Sequence, residues 1–198
     1  MKRLGSFFSL LLFLLLATPG FSAVRTVVID AGHGGHDRGG GPGQRIPEKP
    51  YVLDISRRLQ AKLRSAGFNT VMTRSGDYFV PLGTRCAIAN SHRNAIFVSV
   101  HLNSGQREGA NGIETYYYGR SGGALAASIH ARLLRAAGTE DRRVRQRGFY
   151  VLRNTRIPAV LCECGFLTNR AEGARILTAG HRQRLADAIA DGIVALYR

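Results

Sequence analysis

The sequence predicts a single α/β domain built around a central sheet. Short apolar runs alternate with amphipathic stretches of helical period over residues 24–198. No internal repeat, long linker or separate binding module interrupts that alternation. Size agrees, since 198 residues with 44% hydrophobic content suffice for one core and leave little room for a second.

Residues 24–30 (VRTVVID) form a β-branched run that reads as a buried strand. AGHGGHDRGGGPG follows, a loop with so little side chain that a ligand or metal can approach its backbone closely. Residues 47–66 read as a helix, with Pro47 and Pro50 in the first turn, where a missing N–H costs little. Leu53, Ile55, Leu59 and Leu63 supply its apolar face and Gly67 ends it. Residues 68–73 predict a strand, and 80–90 a helix with Leu82, Ala87 and Ile88 inward. Residues 95–101 are a nearly continuous apolar strand ending in His101. Residues 112–118 predict another strand, with Ile113, Thr115 and Tyr117 on one side. A helix over 123–137 precedes the basic stretch 142–147. Residues 149–153 and 159–163 read as two more strands, the second introduced by Pro158. The remainder is helical, with Leu185, Ala188, Ile189, Ile193 and Leu196 marking one side.

The N-terminus indicates export. Lys2 and Arg3 precede a greasy run from Phe7 to Ala17 and then small residues up to Ala23, the pattern of a secretory signal peptide over residues 1–23. The run is shorter than the ~20 apolar residues of a membrane span, so no stable membrane insertion is expected after cleavage. No cysteine lies in the first 85 residues, which excludes a lipoprotein start. Residues 24–198 then form the mature domain, periplasmic or secreted. Three cysteines cannot staple a small disulfide scaffold, so the core must hold the fold. The formal charge of +15, or +13 without the first 23 residues, predicts an anionic partner. Export and the absence of a recognised module argue against nucleic acid and for a cell-wall polymer.

Three predicted strands end by carrying polar residues out of apolar runs: Asp30-Ala31-Gly32-His33, Ser99-Val100-His101 and Cys162-Glu163-Cys164. Sites in open α/β sheets form at the carboxyl ends of strands. Glu48, opening the first helix, is a fourth candidate. Two histidines and a carboxylate make a common catalytic zinc set, and a further Glu accepts the proton of a metal-activated water. The wide spacing of these residues leaves a metal hydrolase as one reading among several.

Six ordered motifs narrow the choice: VVIDAGHGG, PEKPYVLDISRRL, TRSGDYFVPLGTRCAIAN, AIFVSVHLNS, GIETYYY and PAVLCECGFLTN. Together they resemble the zinc-dependent N-acetylmuramoyl-L-alanine amidase family (the amidase 3 catalytic domain) over essentially all of residues 24–198. The resemblance implies a three-layer α/β domain with a mixed central sheet of about six strands flanked by helices. It also implies that His33, Glu48 and His101 bind Zn2+, and that Glu163 is the catalytic acid/base. The implied substrate is peptidoglycan, cut between N-acetylmuramic acid and L-alanine of the stem peptide. Free carboxylates of the stem would then meet the arginines of 142–147 and Arg153.

The sequence departs from the family pattern at Pro50, at His36 after Gly-Gly, and at the cysteines flanking Glu163; none removes a ligand. The short stretch between His101 and Phe149 leaves no room for the inhibitory helix of some family members, so an active site open without an activator is expected. Other residues read as structural. His36 makes a His-Gly-Gly-His pair with His33, but a glycine loop does not hold two rings on one face. His92, His130 and His181 lie in helical or polar surroundings, and Asn103 and Arg85 hold loops near the site. Cys162 and Cys164 point opposite Glu163 as buried thiols, with Cys86 a potential disulfide partner. Competing readings are another zinc peptidase or deacetylase of the same polymer and a noncatalytic wall-binding module, the latter expected to lack a ligand or Glu163.

Overall fold

The computed structural model describes residues 24–41, 44–105 and 109–198; the expected signal peptide lies outside the described residues. The strands are β1 (Thr26–Ala31), β2 (Asn69–Met72), β3 (Ala95–Asn103), β4 (Ile113–Tyr117), β5 (Asp141–Gln146) and β6 (Ala159–Phe166). The helices are α1 (Lys49–Ser65), α2 (Leu82–Asn90), α3 (Gly123–Ala137), α4 (Tyr150–Arg153), α5 (Arg170–Ile176) and α6 (Ala179–Tyr197). One sheet of order β2-β1-β3-β6-β4-β5 joins all six strands. It is mixed: β2, β1, β3 and β6 are mutually parallel, whereas β4 runs antiparallel to β6 and parallel to β5.

Strand alternation divides the core. Val27, Ile29, Ile96, Val98, Val100 and Ile113 face a large cluster with α1, α3 and α6. Leu59 and Leu63 of α1, Ile129 and Leu133 of α3, and Ile189 and Ile193 of α6 are fully buried there. Burial of each such side chain stabilises by roughly 1.5–3 kcal/mol. A Cβ at Gly192 of α6 would lie 2.7 Å from the Cα of Ile129, so glycine lets α3 and α6 approach closely. Val28, Phe97 and Leu161 face the other way, into a smaller cluster closed by Cys86 and Ala89 of α2 and Val151 and Leu152 of α4. Two short helices cover little of that face, and the polar strand ends open onto it.

The structure departs from the sequence reading, or adds to it, in several places. Residues 149–153 are not a strand: Val151 and Leu152 are buried side by side, which one helical turn permits and a period of two does not. Most of the basic stretch 142–147 lies in the edge strand β5, where arginines meet solvent and Val144 packs on the large cluster. In α2 the buried residues are Arg85, Cys86 and Ala89, while Leu82 is 51% exposed. The hydrogen bonds of Arg85 turn that helix. Leu196 is also exposed, unlike Leu185, Ala188, Ile189 and Ile193. Cys86, Cys162 and Cys164 are all free and buried, with Cys86 across the sheet from the other two. That placement rules out the disulfide considered for Cys86.

Candidate metal centre

At the carboxyl ends of β1 and β3, His33, Glu48 and His101 converge, each offering one donor atom, with these atoms all within 4.8 Å of one another. His33 Nε2 lies 3.3 Å from Glu48 Oε2 and 3.1 Å from His101 Nδ1. Two ring nitrogens and a carboxylate oxygen facing one point are the donor set that zinc takes. Within the pair of rings, the edge-on arrangement (79° between planes) aims the nitrogens rather than stacking the faces.

Local backbone builds this convergence. His33 adopts φ +62, a left-handed conformation uncommon for a residue with a Cβ. Its Nδ1 lies 3.0 Å from the Asp37 carboxylate, which accepts the ring proton and leaves Nε2 as the free donor. A Cβ at Gly32 would sit 2.4 Å from the His101 ring, and one at Gly39 (φ +73) 2.7 Å from that of His33. Glycine at both places makes room for the imidazoles. Glu48, 3% exposed, immediately precedes α1 and accepts the Leu102 amide proton through Oε2.

Beneath the trio lies a buried polar frame. Asp30 receives Arg85 (2.7 Å), the Thr73 hydroxyl (2.7 Å) and the Ser99 hydroxyl (2.6 Å). Burial would raise its pKa, but the Arg85 charge and the two hydroxyls outweigh burial and hold it low. Arg85 also donates to the carbonyls of Val80, Ala31 and His33. Arg74, fully buried, donates to those of Ala31, Gly32, Gly76 and Lys49. Two guanidinium forks thus pin the loop that carries His33.

Glu163 stands beside the trio. It is in register with His101 on β3 and with Glu114 on β4, on the lightly covered face. Its Oε2 is buried without a hydrogen-bond partner. Burial, then the charges of Glu48 and Glu114, push its pKa up to about 8, with His33 acting in the opposite direction. Bound cation charge would add to that downward pull. His101 is driven down to about 3, by burial first and then by His33, so it is neutral and able to ligate.

The four residues predicted from the sequence therefore meet. His36 does not join them: its ring stacks on Phe79 at 4.2 Å. His130 is buried on α3, bridging Thr115 and Asp141, and His181 is buried at the start of α6. Asn103 does hold the site's edge, donating to Glu114 at 2.7 Å. Sequence reasoning missed Asp37, Arg74 and Glu114. A carboxylate alternating with inward Ile113 and Thr115 was the available signal for Glu114, which is buried and faced by Arg142 and Arg145.

A three-layer α/β domain with two histidines and a glutamate around one point, beside an unpartnered carboxylate, defines a metal-dependent hydrolase. Residues 27–195 match the amidase 3 family model, N-acetylmuramoyl-L-alanine amidase. The chain belongs to that family. It is 40% identical over 177 residues to YqiI of Bacillus subtilis, an uncharacterized protein, covering 87% of this chain and 85% of that one. It is 37% identical to the Bacillus subtilis N-acetylmuramoyl-L-alanine amidase LytC over 87% of this chain, but spans only 36% of that longer protein. Among solved structures, the catalytic domain of the amidase CwlV from Paenibacillus polymyxa superposes with a TM-score of 0.83 at 37% identity, over 87% of this chain and 97% of that one. The amidase AmiC2 of Nostoc punctiforme gives 0.82 at 40%, over 88% and 98%. The chain is accordingly a zinc-dependent peptidoglycan amidase that cleaves the bond between N-acetylmuramic acid and L-alanine.

Proposed function

We propose that His33, Glu48 and His101 are the zinc ligands, that Glu163 is the proton carrier, and that residues 24–198 act on the wall after removal of an N-terminal signal. The observation that carries the role of Glu163 is its orphaned, buried Oε2 in register with His101. Zinc at this trio supplies an electrophile that acidifies water towards neutrality and polarises a carbonyl. Asp37 fixes the His33 tautomer, and the arginine frame fixes the loop. Glu163, raised to about 8 without a cation and drawn back down by the charge of a bound one, takes the water's proton and returns it to the leaving amine of L-alanine. Arg142 and Arg145, which flank Glu114 at the sheet edge, present positive charge to the carboxylates of the stem peptide.

Among the described residues no helix is long and apolar enough to cross a membrane. The signal-like first 23 residues support a periplasmic or secreted protein. Digestion of purified sacculi with residues 24–198, with and without a chelator, tests the proposal by product mass. Released stem peptides with a free alanine N-terminus and intact glycan strands are expected, and the chelator abolishes their release. Deacetylated or endopeptidase products would replace this reading with the competing one.

A further inference from the structure

Next to the trio, on the lightly covered face, a cleft of about 330 Å3 opens between the start of α2 and α4. Phe79 and Leu82 wall one side, Phe149 and Tyr150 the other, with Leu161 also lining it; His33 and His101 sit at its edge. All four wall side chains are 42–51% exposed, and they make up half of the eight large apolar side chains that reach solvent among the described residues. Exposed apolar side chains gathered in one place mark binding surfaces, whereas scattered ones do not. Both aromatic walls are braced: His36 stacks on Phe79 at 4.2 Å, and Tyr116 meets Phe149 edge-on at 4.9 Å.

The charged groups that line this cleft are already engaged. Asp30 and Arg85 pair with each other, and Asp37 holds His33. The excess of positive charge lies elsewhere, across β6 and β4 on the edge strand β5, where Arg142 and Arg145 share the single carboxylate of Glu114. One flank of the metal centre is therefore neutral and aromatic, and the other is cationic. The bond this enzyme cuts has the same asymmetry, joining an uncharged sugar to a peptide that bears carboxylates.

We infer that the Phe79–Leu82–Phe149–Tyr150 cleft is the saccharide subsite, seating the muramic acid ring while the stem peptide leaves towards β5. The C–H groups on one face of a pyranose match the electron-rich face of an aromatic ring, and its hydroxyls stay in water along the open side of the cleft. The volume is at the lower end of small-ligand sites, ~300–1,000 Å3, and suits one sugar residue rather than a run of them. Shared lining by His33 and His101 places the carbonyl attached to that sugar over the metal centre. This inference rests on the amidase reading above and adds the direction in which substrate lies.

Two substrates with the same scissile amide test it: a disaccharide-peptide from digested wall, and the lactyl-peptide that alkaline elimination of its sugars leaves. The sugar-bearing substrate should have a kcat/KM at least about tenfold higher, because remote binding energy is realised at the reacting centre. Phe79→Ala and Tyr150→Ala should each shrink that ratio about threefold to tenfold, the worth of one aromatic contact. Chelator-sensitive cleavage of both substrates at equal kcat/KM by the wild-type enzyme would overturn the subsite while leaving the amidase reading intact. Variants that lose the same factor on both substrates would also overturn it, since the cleft would then only support the metal centre. Cleavage of neither substrate would remove the amidase reading and the subsite with it.

Discussion

Replacing Arg85 with methionine should destabilise the domain and loosen its metal centre together. The guanidinium is 3% exposed and makes four hydrogen bonds of 2.7–2.9 Å, to Asp30 and to the carbonyls of Val80, Ala31 and His33. Its loss leaves the Asp30 carboxylate buried with only two hydroxyl donors, and breaking a buried pair in this way costs about 3–5 kcal/mol. For a domain of this size that corresponds to a fall of about 6–20 °C in Tm. Release of the His33 carbonyl should weaken zinc binding about 10- to 100-fold, as for other groups that orient a ligand. Circular dichroism melts of zinc-loaded and zinc-stripped protein, with chelator competition, measure both effects. Adding Asp30→Asn to the variant should recover part of the stability, because the uncompensated charge is gone. The pH dependence has a definite sign. Asp30 has a lowered pKa in the folded protein, so the pair's contribution is complete above about pH 4 and fades as pH falls through that lowered value. A Tm change under about 2 °C at pH 7 with unaltered zinc affinity would refute this reasoning.

Other predictions follow from the groups around the trio. Asp37→Ala removes the acceptor 3.0 Å from His33 Nδ1 and should lower zinc affinity about 10- to 100-fold in chelator competition, with little change in Tm of the stripped protein. Glu163→Gln should retain zinc and lose at least ~10²-fold in kcat on muropeptides. In zinc-stripped protein the Glu163 pKa is raised from 4.5 to about 8, so the folded state binds a proton that the unfolded state has released. Stability should thus fall as pH rises through that interval, and Glu163→Gln should flatten the fall in denaturant titrations.

Much of the site was legible because it sits where apolar strands end. His33 follows Asp30 out of β1, His101 closes the apolar part of β3, and Glu163 interrupts buried β6. Glu48 was different: its place before α1 could be read, but its part in the trio came only through the resemblance to the family. Asp37, Arg74 and Glu114 act through contacts that no local pattern reveals. Arg74, for instance, reaches the carbonyl of Gly32, 42 positions away. The fold was misread where composition opposed geometry. Aromatic and β-branched residues at 149–152 suggested a strand but form one turn of helix, and the arginines of 142–147 concealed an edge strand marked inwardly by Val144 alone.

The account turns on one zinc ion shared by residues 33, 48 and 101. Zinc K-edge absorption on wild-type protein, His33→Ala and His101→Ala tests this most directly. The account predicts one zinc per chain with two imidazoles and oxygen donors, and one imidazole fewer in each variant. Sulfur scattering from Cys162 or Cys164, or an imidazole count that neither substitution changes, would contradict it.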